Sequence, residues 1–232
     1  MYKNIYIYGC SHSGFFKKFD KIGYHLKLNN IDSMSLSGLV EGKKTKLNIY
    51  NKLISSIKAN NINYLILKVG QVDIECIYYY KFLIKKELIT VELFIENLML
   101  IYSKLIDQIL SIYNNDFIIF SINLPSISSN NGLKNYINKI INNNKNIELN
   151  IDTNLQKQTE MALLFNKKLN ELCIPKNILF IDTTSDFIDP ETGLCKKKFQ
   201  TNKDHHYNGL NENRNFTEAF EIFNQYLDQL VG

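Results

Sequence analysis

The feature that most restricts this chain is the run Tyr64-Leu65-Ile66-Leu67-Lys68-Val69, nearly all apolar, which stops at Gly70. A strand with water on one face alternates polar and apolar residues. A continuous apolar run of this length fits a strand buried on both faces, the kind found in parallel sheets with helices on either side. A second such run spans 117–122 and ends at Asn123-Leu124-Pro125. Amphipathic patterns separate the apolar runs. The spacing predicts helices over 15–26 (Phe15, Phe19, Ile22 and Leu26 on one face), 47–57, 91–113, 154–173 and 218–230. Further strands are expected over 4–9, 31–36 and 178–181. Strands alternating with helices imply a three-layer α/β/α architecture. Right-handed crossovers make a flavodoxin-like parallel sheet of about five strands the simplest topology. With 232 residues and no linker rich in Gly, Pro or Ser, one domain over 1–232 is expected.

Two stretches stand outside the alternation. Residues 126–153 are polar and dominated by asparagine, and read as an insertion over the active edge or a loose loop, with a short helix around 133–141. Residues 74–89 carry Tyr78, Tyr79 and Tyr80 in a row. These either line a substrate groove or pack a helix onto the sheet.

Composition narrows the function classes. The net charge of +4 comes from scattered lysines, and Arg214 is the only arginine, so nucleic acid is not an expected partner. No apolar run reaches the roughly 20 residues of a membrane span. The first strand is too short and too interrupted by tyrosine for a secretion signal, so a cytoplasmic location and no membrane partner are expected. Cys10, Cys76, Cys173 and Cys195 form no CxxC pair and read as free thiols. His12 and His25 read as isolated packing or surface residues, and no cluster supports a metal. No cofactor is expected.

The strand ends carry the chemistry. Asn4-Ile5-Tyr6-Ile7-Tyr8-Gly9 is a strand that turns at once into Cys10-Ser11-His12-Ser13-Gly14. This places Ser11 at the carboxyl edge of the sheet, where the first amides of the next helix have no partner within that helix. Ser37-Gly38, Gly70-Gln71-Val72-Asp73 and Asn123 end other strands along that edge, where ligands bind in doubly wound sheets. Late in the chain comes Asp204-His205-His206, just before the closing helix. An early serine with a late aspartate and histidine satisfies acyl transfer: serine attacks, histidine takes its proton, and the carboxylate orients the imidazole. In an extended segment Asp204 and His206 share a face and His205 points away. Backbone amides of Ser11 and Gly38 are candidates to face the developing oxyanion.

Order and spacing of these blocks resemble the SGNH hydrolase superfamily, the GDSL-type esterases and O-acetyltransferases, from about Ile5 to Asn208. The resemblance places the nucleophile at Ser11, the second-block glycine at Gly38, the third block at Gly70-Gln71-Val72-Asp73, and the acid and base at Asp204 and His206. It implies a serine esterase or O-acyl(acetyl)transferase acting on a small-molecule or glycan ester, closest to the polysaccharide-associated branch. Cys10 stands where the family has aspartate. Val72 stands where the family has an oxyanion-binding asparagine, and valine cannot donate a hydrogen bond. Gln71 and Asn123 are the candidates to replace it. The rival expectations are a carbohydrate-binding module on the same fold with a weakened site, and a Cys10 nucleophile of phosphatase type, which lacks its arginine.

Overall fold

A computed structural model describes residues 2–31, 34–40, 48–142, 153–201, 205–207 and 217–232. Its sheet has five strands, β1 (Lys3–Gly9), β2 (Tyr24–Asn30), β3 (Tyr64–Lys68), β4 (Asp116–Phe120) and β5 (Leu179–Ile181), in the order β2-β1-β3-β4-β5. All pairings are parallel. The expected three-layer, flavodoxin-like architecture is therefore the observed one. The helices are α1 (Ile49–Ala59), α2 (Val91–Leu110), α3 (Asn130–Asn142), α4 (Leu155–Cys173), α5 (Thr184–Phe187) and α6 (Thr217–Val231). The crossovers β2 to β3, β3 to β4 and β4 to β5 step the same way across the sheet. Their right-handedness puts α1, α2 and α4 on one face. The step from β1 to β2 runs the other way, so its 3-10 helix Ser11–Lys18 covers the opposite face, where α6 packs against it.

Two elements depart from expectation. No helix spans 15–26: the 3-10 helix ends at Lys18, and β2 begins at Tyr24. Gly23, at φ +89°, makes the turn into the strand. Tyr24, Leu26 and Leu28 are half-buried and alternate with exposed His25 and Lys27, the period of an edge strand. Ile22, counted on a helical face by its spacing, is 97% exposed. The second strand is thus Tyr24–Asn30 rather than 31–36, and Leu36–Gly38 is a 3-10 turn. In 126–153, the described part holds α3, longer than the short helix expected there. Tyr78 and Tyr80 are half-buried beside the two π-helical turns Asp73–Ile77 and Tyr80–Ile84, and Tyr79 is buried.

Helix starts follow local rules: Thr90 Oγ1 accepts from Leu93 N at 3.2 Å, and Asn154 Oδ1 from Lys157 N at 2.8 Å. Beneath α6 lies an aromatic core. Phe15 stacks on Phe223 at 5.0 Å and Phe187 on Tyr207 at 4.2 Å, while Phe16 meets Phe120 edge-on at 5.0 Å. Tyr207 anchors the segment carrying the two late histidines to that core.

Gly70 makes the sharp exit from β3. Its φ is +119°, and a Cβ there would lie 2.3 Å from Phe165 Cζ. Gly70→Ala is expected to destabilise the protein by roughly 2–5 kcal/mol, from backbone strain plus overpacking. Urea unfolding measures this, and Phe165→Leu in the same chain should recover part of the loss. Equal midpoints for wild type and Gly70→Ala would contradict the steric account.

Candidate active site

The carboxyl ends of β1 and β3 are in register, Gly9 opposite Lys68, so the turns that follow them meet. A Cβ at Gly9 would come within 2.6 Å of Ser13 Cβ and 2.9 Å of the Lys68 carbonyl, which is why the first turn needs glycine. Cys10 N-caps the 3-10 helix in an extended conformation, and its carbonyl accepts from Ser13 N and Ser13 Oγ at 2.9 and 2.8 Å. Ser11, half-buried, opens the helix. Cys10 itself is buried, and burial pushes its thiol up to about 12. A thiol so rarely ionised is a poor nucleophile, which argues against the phosphatase alternative.

The second and third blocks are tied by Asp73. Its carboxylate accepts from Leu36 N at 2.6 Å and Ser37 N at 3.3 Å, anchoring the turn that contains Gly38. Gly38 N donates to Ser35 O at 3.1 Å, so the oxyanion role expected of that amide is not open to it in this conformation. The side chain of Gln71 is also engaged. Oε1 accepts from Asn123 N at 2.7 Å, and Nε2 donates to Asn123 O at 3.1 Å and Glu75 Oε1 at 2.8 Å. Gln71 therefore positions Asn123 rather than acting as a spare donor. The Asn123 side chain is buried, and among the described residues neither its Nδ2 nor its Oδ1 has a hydrogen-bond partner. Such an amide is costly unless something else binds it.

The whole exit from β4 is held this way. Lys68 Nζ donates to Ser121 O, and Asn166 pairs with both backbone groups of Ile122 at 2.9 and 3.1 Å. Leu124 N donates to Tyr207 Oη at 2.9 Å. Lys68 is fully buried for this purpose, and burial lowers its ammonium to about 7.

Three of the chain's four histidines converge at this edge. The ring of His12 lies 4.5 Å from that of His206 and 4.7 Å from that of His205, whose rings are 4.0 Å apart. His12 Nε2 is 3.2 Å from the His205 carbonyl, and its Nδ1 is 3.6 Å from Cys10 Sγ. His205 Nδ1 lies 3.0 Å from Glu75 Oε2 and 2.7 Å from Tyr136 Oη. Burial, then the neighbouring His205 and His206, holds His12 well below the ordinary imidazole range.

Of the expected residues, the fold thus links Gln71 directly to Asn123. It also joins the turn of Ser11 to His206 through His12. Asp204 lies outside the described residues. His205 does not face away, because the segment bends and does not alternate as a strand would. The expectation that no potential metal-ligating cluster exists is likewise overturned: one nitrogen from each of the three histidines lies within 4.8 Å of the others. Glu75 was also missed. Its signal was the i, i+4 spacing from Gln71, which puts the two on one side of a helical turn.

No protein-family profile matches the sequence, and no curated relative matches it. Solved structures do resemble it. A catalytic mutant of an acetylxylan esterase from Geobacillus stearothermophilus is 11% identical with a TM-score of 0.58, over 100% of this chain and 94% of its own. A carbohydrate acetylesterase family member from Sinorhizobium meliloti is 9% identical with a TM-score of 0.56, over 99% and 97%. A GDSL-like lipase from Bacteroides thetaiotaomicron is 11% identical with a TM-score of 0.51, over 99% and 87%.

Asp73 makes the site sensitive to pH. Burial raises its carboxyl to about 6, against hydrogen bonds that pull it down. Between its unfolded value near 4 and about 6, the folded chain holds a proton that the unfolded chain has lost, so stability falls as pH rises through that window and then levels. Relative to Asp73→Asn, the wild type is expected to lose on the order of 3 kcal/mol from pH 4 to pH 7. Denaturant titrations of both proteins across that range check it, and parallel pH profiles would reject the assignment.

Proposed function

We propose, from the premise that this chain has the three-layer fold of the SGNH hydrolases, that it is a serine esterase cleaving short acyl groups, chiefly acetyl, from carbohydrate. The observation that carries the proposal is the chain of contacts placing the Ser11 turn against the late histidines: Ser11 is followed by His12, whose ring lies against His206. In the proposed reaction Ser11 Oγ attacks the ester carbonyl and His206 takes the serine proton. His206 then gives it to the departing sugar oxygen, and Asp204 holds the imidazolium. Water attacks the acyl-serine to complete hydrolysis. A sugar hydroxyl attacking at the same step would make the enzyme an O-acyltransferase. The amide of Asn123, without a hydrogen-bond partner among the described residues, is the proposed side-chain donor to the oxyanion, in the role that Val72 cannot fill, with the Ser11 amide as backbone donor.

A cavity of about 380 Å3 beside the π-helical turns, lined by Tyr78, Tyr79, Phe82 and Met161 among others, offers aromatic faces of the kind that pack on sugar rings, but Ser11, Asn123 and His206 are not among its lining residues. A second reading has one specific observation in its favour. A buried carboxylate, Glu75, lies 3.0 Å from His205 Nδ1, the arrangement that orients a catalytic imidazole. In that reading His205 is the base and Glu75 its acid.

Intact-mass analysis after a serine-reactive fluorophosphonate tests the nucleophile. One adduct is expected on the wild type and on Cys10→Ala, and none on Ser11→Ala; labelling of Ser11→Ala would sink the mechanism. His206→Ala is expected to slow acylation by about a thousandfold or more, and His205→Ala by less than about tenfold. The reverse order, with Glu75→Gln as damaging as His205→Ala, would install the second reading. Asn123→Ala is expected to lower kcat on the order of a hundredfold, with KM for an acetyl ester little changed.

A further inference from the structure

We infer that His12, His205, His206 and Glu75 form a binding site for a divalent transition ion of the zinc class. Three imidazoles and one carboxylate are the donor set that such borderline ions prefer over magnesium or calcium, which take oxygen. The geometry is close to what the ion needs. Metal–nitrogen bonds of about 2.0–2.1 Å in a tetrahedron put neighbouring donors about 3.3 Å apart. The Glu75 carboxylate reaches two of the imidazoles, one through each oxygen: Oε2 lies 3.0 Å from His205 Nδ1 and Oε1 lies 3.9 Å from His12 Nε2, so a single-oxygen ligand must turn from this position. The three imidazole donors lie within 4.8 Å of one another, so closure takes side-chain rotations rather than a change of fold.

The surrounding groups suit the role. Cys10 Sγ stands 3.6 Å behind His12 Nδ1, and an Nδ1–H directed at it leaves the Nε2 lone pair facing Glu75. Gln71 donates to Glu75 Oε1 at 2.8 Å and fixes the carboxylate. Binding requires that His12 Nε2 give up the His205 carbonyl at 3.2 Å and that His205 Nδ1 give up the Tyr136 hydroxyl at 2.7 Å. The ion–ligand bonds replace those two contacts. A bound ion also takes a nitrogen of His206, the base of the proposed hydrolysis, and holds its ring to the metal, so the ion is an inhibitor of that reaction. This consequence rests on the serine reading, whereas the binding itself does not.

The test is optical and independent of activity. Chelator-treated protein is titrated with Co2+ and then with Zn2+, while visible absorption is followed. One Co2+ per chain with the intense bands of four-coordinate cobalt is expected, displaced by one Zn2+. His205→Ala and Glu75→Gln, checked for folding by circular dichroism, should weaken binding by more than about a hundredfold, beyond the loss typical of an outer partner. His12→Gln provides a third variant at the fully buried position. Absence of saturable binding, the pale spectrum of six-coordinate cobalt, or binding unchanged in His205→Ala and Glu75→Gln would overturn the site. Zn2+ should inhibit ester cleavage with the midpoint of its binding curve, and full activity of the zinc-loaded protein would overturn the shared use of His206. If no ester is cleaved under any condition, the serine reading fails and the cobalt spectrum still decides the metal site.

Discussion

The site depends on how one backbone segment, residues 121–124, leaves the sheet. Ser121 N still donates to Ile181 O of β5 at 2.9 Å, but beyond that bond the buried segment leaves the ladder, and an unpaired buried peptide group costs a large share of a marginal stability. Four side chains from three other parts of the chain supply the partners. Lys68 serves Ser121, Asn166 serves Ile122, Gln71 serves Asn123 and Tyr207 serves Leu124. Each partner is itself buried. The requirement to satisfy this segment therefore draws β3, α4 and the segment bearing the late histidines to one point.

The same economy shapes the electrostatics. A buried lysine, a buried aspartate and a buried histidine lie along one sheet edge, and all three are shifted towards their neutral forms by loss of water. Glu75 lies at the same edge, held by Gln71 on one oxygen and facing His205 with the other. With little water to screen them, charges formed here during a reaction or brought in by an ion act strongly on their neighbours. The Asn123 amide, buried and unmatched among the described residues, is the polar group in this setting that most needs a ligand.

Much of this was legible in the residues. Runs buried on both faces and strands ending in glycine are local patterns, and they led to the right sheet. The misread second strand shows the limit of spacing. Phe15, Phe19, Ile22 and Leu26 satisfy a helical period, yet the conformation of Gly23 and pairing with β1 give Tyr24–Asn30 to the sheet. Pairing partners are remote in sequence, so periodicity within the segment could not weigh them.

The sequence by itself determined the layered α/β class, the turn that presents Ser11, and the polar residues at the strand ends. Backbone propensity and the alternation of buried faces act over a few residues and leave their mark there. Only the tertiary structure decided that His12 meets His205 across 193 positions, that Glu75 lies between them, and that Gln71 is consumed in holding Asn123. Those contacts follow from strand register and from the need to satisfy buried backbone groups. Both are settled when distant segments pack, and no local pattern records them.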